Sequence, residues 1–428
     1  MVDTAGAGGP MKSASGLTSP GRSQSSSLFI TTAFTTCAIA ALGFLASGAS
    51  ASDHSALPES LTVPETMLVK SLQEIAESRM DSALNGVEQL IKTNPNFRLA
   101  HLIKGDLLLA RSRPISNMGD TLGVSQQHLA DLREEARARL QRHRETIPRN
   151  MMPKYLVQMP PEQKYAVIAD TGKSRLYIYE NAGGHARYLA DYYISSGKNG
   201  SQKLKEGDKK TPIGVYFVTA NVPRQKLTDF YGGAAFPINY PNEWDRRNGR
   251  SGFGIWIHGT PSNTYSRPPR ASDGCVVLSN DDLQTVGARL QVGITPVIIS
   301  DKMEWVKPAD AASLRRKLTK HLENWRRDWE SGNIEAYIRN YGRNFSNGNQ
   351  NLMEWTRHKR EVNTGKDWIK VGISNIGVFL YPGRDDLAVV NFDQEYSSNN
   401  LSNRIKKRQY WMKEDKKGPW KIIYESAA

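Results

Sequence analysis

Cysteine is nearly absent from this chain: there are two in 428 residues, Cys37 and Cys275. The chain has no Cys-x-x-Cys pair, no His-Glu-x-x-His motif and only eight scattered histidines, so neither a metal site nor a disulfide framework is expected. A Walker-type phosphate loop is missing too, and no cofactor is anticipated. Acidic residues are in deficit, 43 against 57 Lys and Arg, leaving a formal charge of +14. Such an excess attracts polyanions. The densest basic runs, Arg404-Ile405-Lys406-Lys407-Arg408 and Lys416-Lys417, are expected as solvated faces of a hairpin.

Long apolar runs are equally scarce. The one of note, from Leu28-Phe29-Ile30 to Phe44-Leu45, follows a Gly/Ser-rich start carrying Lys12 and Arg22 and ends in Ala49-Ser50-Ala51. This is the pattern of a signal peptide cleaved after Ala51, which would discard Cys37. An uncleaved anchor is the alternative, since the run approaches bilayer-spanning length. An exported protein meets envelope polymers or membrane surfaces rather than nucleic acid, so no nucleic-acid partner is expected.

Helical periodicity opens the remaining chain, with Leu68, Leu72, Ile75 and Ala76, then Ala83, Leu84, Val87, Leu90 and Ile91. Asn94-Pro95 breaks it, and Leu99, Leu102, Ile103, Leu107 and Leu108 resume it. Asp81–Arg111 resembles a single tetratricopeptide-type (TPR-like) helical pair, which cannot bury its own face and should pack on another domain or subunit. Gln126–Glu145 is dense in Arg and Glu and is expected as an exposed connecting helix laced with ion pairs. Past Pro148–Pro161 the pattern turns to short strands: Tyr165–Asp170, Arg175–Glu180, Ala190–Ser195, Gly214–Thr219, Gly254–His258 and Val297–Ser300. After Pro308 it returns to helix, with Leu314, Leu318, Leu322, Trp325 and Trp329, then helices over Glu335–Phe345 and Trp355–Val362. Strand-like runs at Trp368–Tyr381, Leu387–Ser397, Arg404–Glu414 and Trp420–Glu425 close the chain, an α+β order. The two tryptophans are expected in a core.

Cys275 lies in Ser272-Asp273-Gly274-Cys275-Val276-Val277-Leu278, 17 residues after His258 of Trp256-Ile257-His258-Gly259-Thr260. A lone thiol in an exported protein has no internal disulfide partner, and a nearby imidazole favours the thiolate. Nucleophile and base are therefore the first reading of this pair; a small buried apolar Cys is the bland one.

The region Tyr165–Ser300 resembles the YkuD-type L,D-transpeptidase catalytic domain. The resemblance rests on Lys210-Thr211-Pro212-Ile213-Gly214-Val215-Tyr216-Phe217, on His258-Gly259-Thr260, on Ser272-x-Gly274-Cys275 and on Leu278-x-Asn280-x-Asp282. The ending Tyr410-Trp411 to Trp420-Lys421-Ile422-Ile423 resembles an NTF2-like (SnoaL-like) cone, and the Tyr240-Pro241-Asn242-Glu243-Trp244-Asp245-Arg246 stretch with this appended cone resembles cell-shape L,D-carboxypeptidases. The fold expected is thus multidomain: a signal peptide over 1–51, a helical TPR-like module over 52–150, a mainly-β catalytic domain over 160–303, and an α+β NTF2-like cone over 310–428. The resemblance implies a periplasmic enzyme on peptidoglycan stem peptides in which Cys275 attacks, His258 is the base, the Gly259 carbonyl orients the imidazole, and the N–H groups of Gly274 and Cys275 form an oxyanion hole. Transfer to a neighbouring stem gives 3→3 cross-links; the alternatives are trimming by water and an inactive wall-binding scaffold. Asp273 stands where the family has His, and Val277 where it often has Arg. Asp273 is expected to pair with Arg270 or Arg267, or to hold an acceptor amine, while Arg270 or Arg224 would replace the missing Arg. Ser272, Tyr240 and Trp244 are further candidates for substrate contact. A homodimer through the helical or cone module is left open.

Overall fold

The computed structural model describes residues 62–428 except 121–122, 149 and 416–417. The proposed signal peptide and Lys416-Lys417 lie outside the described residues. No described helix is long and apolar enough to cross a membrane.

Four helices come first: α1 (Val63–Ala76), α2 (Met80–Thr93), α3 (Arg98–Leu109) and α4 (Gln126–Arg144). The apolar positions read from the sequence meet in one core of Leu68, Ala83, Val87, Leu90, Leu99 and Ile103, which Ala136 of α4 closes. The exposed-helix reading of α4 fails at Glu135 and Arg139, both almost fully buried. Arg139 donates to Glu135 on its own helix and to Glu65 of α1, and Glu65 in turn accepts from Arg175 at 2.8 Å. Arg175 and Arg142 both pair with Asp191. Buried ions persist only when their charges are matched in this way. What looked like a solvated helix is the seam between the helical module and the strands beyond it.

A five-stranded sheet follows, in the order 185–193, 175–182, 165–170, 296–300, 214–217, with 165–170 and 296–300 parallel and the other neighbours antiparallel. Its central strands read as unbroken apolar runs because both faces are covered. Val167, Ile178 and Ile299 pack against Phe236, Ile257, Val276 and Leu283 on one side. On the other, Ala166, Ile168 and Ile298 meet Phe379, Leu387 and Val389 of the C-terminal sheet. The first of these layers is a smaller sheet in the order 276–277, 256–258, 234–237, 222–223.

The C-terminal body is a six-stranded sheet in the order 341–346, 420–427, 402–413, 387–398, 369–380, 156–158, wrapped around helix Pro308–Glu330. Trp325 and Trp329 are buried inside it, as expected. The helix expected over Glu335–Phe345 is only Ile334–Ile338; Tyr341–Ser346 is a strand. Tyr337, Tyr341 and Phe345 recur every four residues, a spacing that keeps one face inward in either a helix or a strand, so periodicity alone could not separate them. The basic run is also not a solvated face throughout: Lys407 and Arg408 are buried and pair with Glu425 and Glu243. Strand Leu156–Gln158 precedes the five-stranded sheet in sequence, yet it pairs with 369–380 as the edge of the C-terminal sheet.

Candidate active site

His258 ends the strand Trp256–His258, which lies between Ala234–Pro237, antiparallel, and Val276–Val277, parallel. The parallel register sets His258 opposite Val277 and Ile257 opposite Val276, which brings Cys275, one residue before that strand, level with Trp256. Side chains two apart share a face of a sheet, so Cys275 and His258 project from the same face as diagonal neighbours. The imidazole is buried. Its Nδ1 lies 2.7 Å from the Gly259 carbonyl, and a carbonyl only accepts, so Nδ1 carries the proton and Nε2 keeps its lone pair. The Tyr231 ring stands edge-on at 5.1 Å and Phe230 lies at 6.0 Å. Burial, reinforced by the nearby Arg267 charge and opposed by the Gly259 carbonyl, holds the imidazole pKa down at about 4.

The thiol is fixed by the turn before it. Ser272 Oγ donates to the Cys275 carbonyl at 2.6 Å and accepts the Gly274 N–H at 3.1 Å. Gly274 has φ +127°, and a Cβ there would meet the Lys210 carbonyl at 2.8 Å, so the position requires glycine. Thr211 Oγ1 donates to the Gly274 carbonyl at 2.9 Å. The half-buried Sγ donates to the Gly254 carbonyl at 3.3 Å and receives the Trp256 N–H. Burial pushes the thiol pKa up to about 11; the Trp256 N–H and the Arg267 and Lys203 charges oppose it, and the Asp273 carboxylate adds to it. The expectation that the imidazole favours the thiolate is therefore not met: both groups are neutral at rest, because desolvation outweighs the nearby charges.

The other sequence candidates are placed as follows. Gly274, expected as an oxyanion donor, spends its N–H on Ser272 Oγ, and Ser272 is buried bracing the turn rather than facing substrate. Asp273 is exposed and pairs with Lys198 at 3.1 Å, not with Arg270 or Arg267. Arg270 is exposed beside Glu134, at 3.9 Å, and Arg224 pairs with Asp229. Tyr240 is buried in the core, its hydroxyl donating to the Ser251 carbonyl. Trp244 packs on Tyr381 and Tyr410 of the C-terminal body, so the structure does not bring it to Cys275. Trp244 is pinned under the C-terminal sheet, where Tyr410 donates to the neighbouring Glu243 at 2.9 Å, whereas Tyr240 packs edge-on against Tyr216 in the core that holds Ile257 and Val276. The residue the sequence reading undervalued is Arg267, whose guanidinium lies over the Phe230 ring, 4.7 Å from its centroid, and whose charge acts on both His258 and Cys275. An arginine in a Pro-rich loop carries no periodic signal to announce it. Among the described residues no three or more His, Cys, Asp or Glu side chains are grouped to hold a metal ion.

Residues 164–299 match the model of the L,D-transpeptidase catalytic domain named YkuD, and residues 317–426 that of the Cds6 C-terminal NTF2-like domain. Among solved structures, Bdellovibrio bacteriovorus Bd1075 is 29% identical with a TM-score of 0.57, the match covering 65% of this chain and 98% of that one. The helical cell shape determining protein Pgp2 from Campylobacter jejuni is 26% identical with a TM-score of 0.53, covering 64% and 96%. No curated protein gives a match. Peptidoglycan is the substrate that the catalytic domain implies.

Proposed function

We propose, from the premise that residues 164–299 are a YkuD L,D-transpeptidase catalytic domain and residues 317–426 a Cds6-type NTF2-like domain, that this protein trims peptidoglycan stem tetrapeptides to tripeptides through a Cys275 thioester. The observation that carries the reading is the parallel pairing of Trp256–His258 with Val276–Val277, which sets Cys275, just before the latter strand, level with Trp256, with Nδ1 of His258 tied to the Gly259 carbonyl and Nε2 left to accept a proton.

Sγ gives its proton to Nε2 as it attacks the carbonyl between the third stem residue and the terminal D-Ala. The tetrahedral oxyanion meets the Cys275 N–H, the remaining donor of the pair the family resemblance suggests, because the Gly274 N–H is engaged by Ser272. The C–N bond breaks, the leaving amine takes the proton from Nε2, and a thioester remains. Water then gives a proton to Nε2 and adds its hydroxide to the thioester carbonyl, and the thiolate leaves and is reprotonated. Two observations support water as the acceptor. Asp273, the carboxylate nearest Cys275 in sequence and the candidate holder of an acceptor amine, is already paired with Lys198. The similarity to Pgp2, a helical cell shape determining protein, spans nearly all of that chain.

Transfer to the amine of a neighbouring stem, giving a 3→3 cross-link, is the second reading, favoured by the match to the L,D-transpeptidase domain model itself. Mass spectrometry of disaccharide-tetrapeptide muropeptides incubated with the protein separates the two. Tripeptide monomers formed by the wild type and not by Cys275→Ala are expected; cross-linked dimers lacking one D-Ala would establish the transferase, and product from Cys275→Ala would sink the cysteine mechanism.

A further inference from the structure

The spacer that joins His258 to Cys275 is held by the helical module. Asn96 Nδ2 donates to the Ser262 carbonyl at 3.0 Å, and the Asn96 carbonyl accepts from the Tyr265 N–H at 3.3 Å. The Tyr265 ring lies on Phe97, 4.4 Å between centroids. Ser266 Oγ donates to Glu135 at 2.6 Å, and Glu135 is the carboxylate that the buried Arg139 holds against Glu65. Tyr193, whose ring lies 3.9 Å under the Arg139 guanidinium, donates its hydroxyl to the Arg267 carbonyl at 2.9 Å. Two ties, one to residue 266 and one to residue 267, therefore run from a single buried ion cluster to the spacer.

The next link is Arg267 itself. Its guanidinium stacks on Phe230 and donates to the Phe230 carbonyl at 3.4 Å, in the short turn whose aromatic rings cover His258. That turn is itself tied to the spacer, since Asp229 accepts from the N–H and Oγ of Ser262.

We propose that the helical module is part of the catalytic apparatus: its Glu65–Arg139–Glu135 cluster, acting through Ser266 and Tyr193, sets Arg267 beside Cys275 and His258. Ser266, Tyr193 and Glu135 are positioning residues, and Arg267 supplies the charge that they position. This rests on the reading of Cys275 and His258 as the reacting pair. It explains why a cluster so costly to desolvate is kept at a seam where apolar packing would serve adhesion as well. The other charged groups that act on the thiol are Asp273, paired with Lys198, and Lys203, paired with Asp208; neither pairs with the cluster.

The test is the rate of Cys275 alkylation by iodoacetamide against pH, together with kcat and KM on a muropeptide, in the full chain. Ser266→Ala, Tyr193→Phe and Arg267→Ala are each expected to slow alkylation at pH 8 by roughly three- to ten-fold and to move its pH midpoint upward. Ser266→Thr should restore the rate, and Ser266→Ala with Arg267→Ala should be no slower than Arg267→Ala alone, as for groups in one chain of action. Tyr193→Phe keeps the buried ring, so a fold lost in Ser266→Ala still leaves a readable variant. A lowered melting temperature with an unchanged alkylation profile in both positioning variants, or additive losses in the double variant, would overturn the proposal. Turnover that survives Cys275→Ala would instead mark a failure of the underlying reading.

Discussion

Thr211 Oγ1 donates to the carbonyl of Gly274 at 2.9 Å and accepts the N–H of Gly197 at 2.9 Å. One hydroxyl thus ties the segment before strand 214–217 to the residue that precedes the nucleophile candidate. Both bonds are buried, so a methyl in place of the hydroxyl strands a donor and an acceptor at about 1–3 kcal/mol. Thr211→Val should lower the melting temperature and cut kcat at least ten-fold, whereas Thr211→Ser should keep most of both. Equal activity in Thr211→Val would show that the turn holds itself.

Gly274 gives a sharper case. With φ +127° and the Lys210 carbonyl 2.8 Å from where a Cβ would stand, Gly274→Ala has to shift backbone on one side or the other. A loss of about 1–3 kcal/mol of stability is expected, along with loss of Cys275 alkylation contrast against a free thiol. Thermal denaturation and alkylation kinetics of the purified variant check both.

The acid limb of stability should belong in part to His258. Its folded pKa, about 4, lies below the ordinary histidine value because burial disfavours the imidazolium. The unfolded chain therefore binds the extra proton first as pH falls. The contribution is fully present above the unfolded value near 6.5 and is lost between there and about 4, amounting to at most about 3 kcal/mol. His258→Gln should flatten the fall in melting temperature between pH 7 and pH 4.5; an unchanged slope would assign it to other groups.

Asp273 raises the thiol pKa and is exposed, so Asp273→Asn should speed iodoacetamide alkylation at pH 8 by about two- to three-fold, an effect that shrinks with added salt. A slower reaction would mean that the carboxylate serves the thiol through Lys198 rather than opposing it.

Trp244→Ala separates a cleft residue from a packing residue. The ring is buried against Tyr381 and Tyr410, and its truncation should cost about 3–5 kcal/mol with KM unchanged. Fluorescence-monitored urea unfolding and Michaelis kinetics read the two effects independently.

The order of helical module, mainly-β region and α+β cone was legible because each depends on hydrophobic period, which survives in a single sequence. That the apolar runs at 166–169 and 297–299 belong to a sheet covered on both faces was seen only in the structure. The pair Cys275 and His258 was singled out by chemistry and spacing, and the structure brings the two segments together as neighbouring strands of one sheet. What escaped is what depends on neighbours distant in sequence. Arg139 and Glu135 look like any helix-surface pair until Glu65 and Ser266 close around them, 74 and 131 residues away. Trp244 looked like a cleft aromatic because nothing in its own segment announces Tyr381 and Tyr410, 137 and 166 residues later, which cover it. The thiol shifts the other way from expectation, since burial is a property of the fold and not of the motif.

The edge strand Leu156–Gln158 makes the C-terminal body a discontinuous unit, stitched by a piece of chain that lies ahead of the catalytic region. A fragment beginning at residue 310 would leave strand 369–380 with a bare row of N–H and C=O groups, a template for sheet-to-sheet polymerisation. The C-terminal sheet is therefore not completed by its own contiguous sequence: its closing edge comes from residues 156–158, on the far side of residues 164–299.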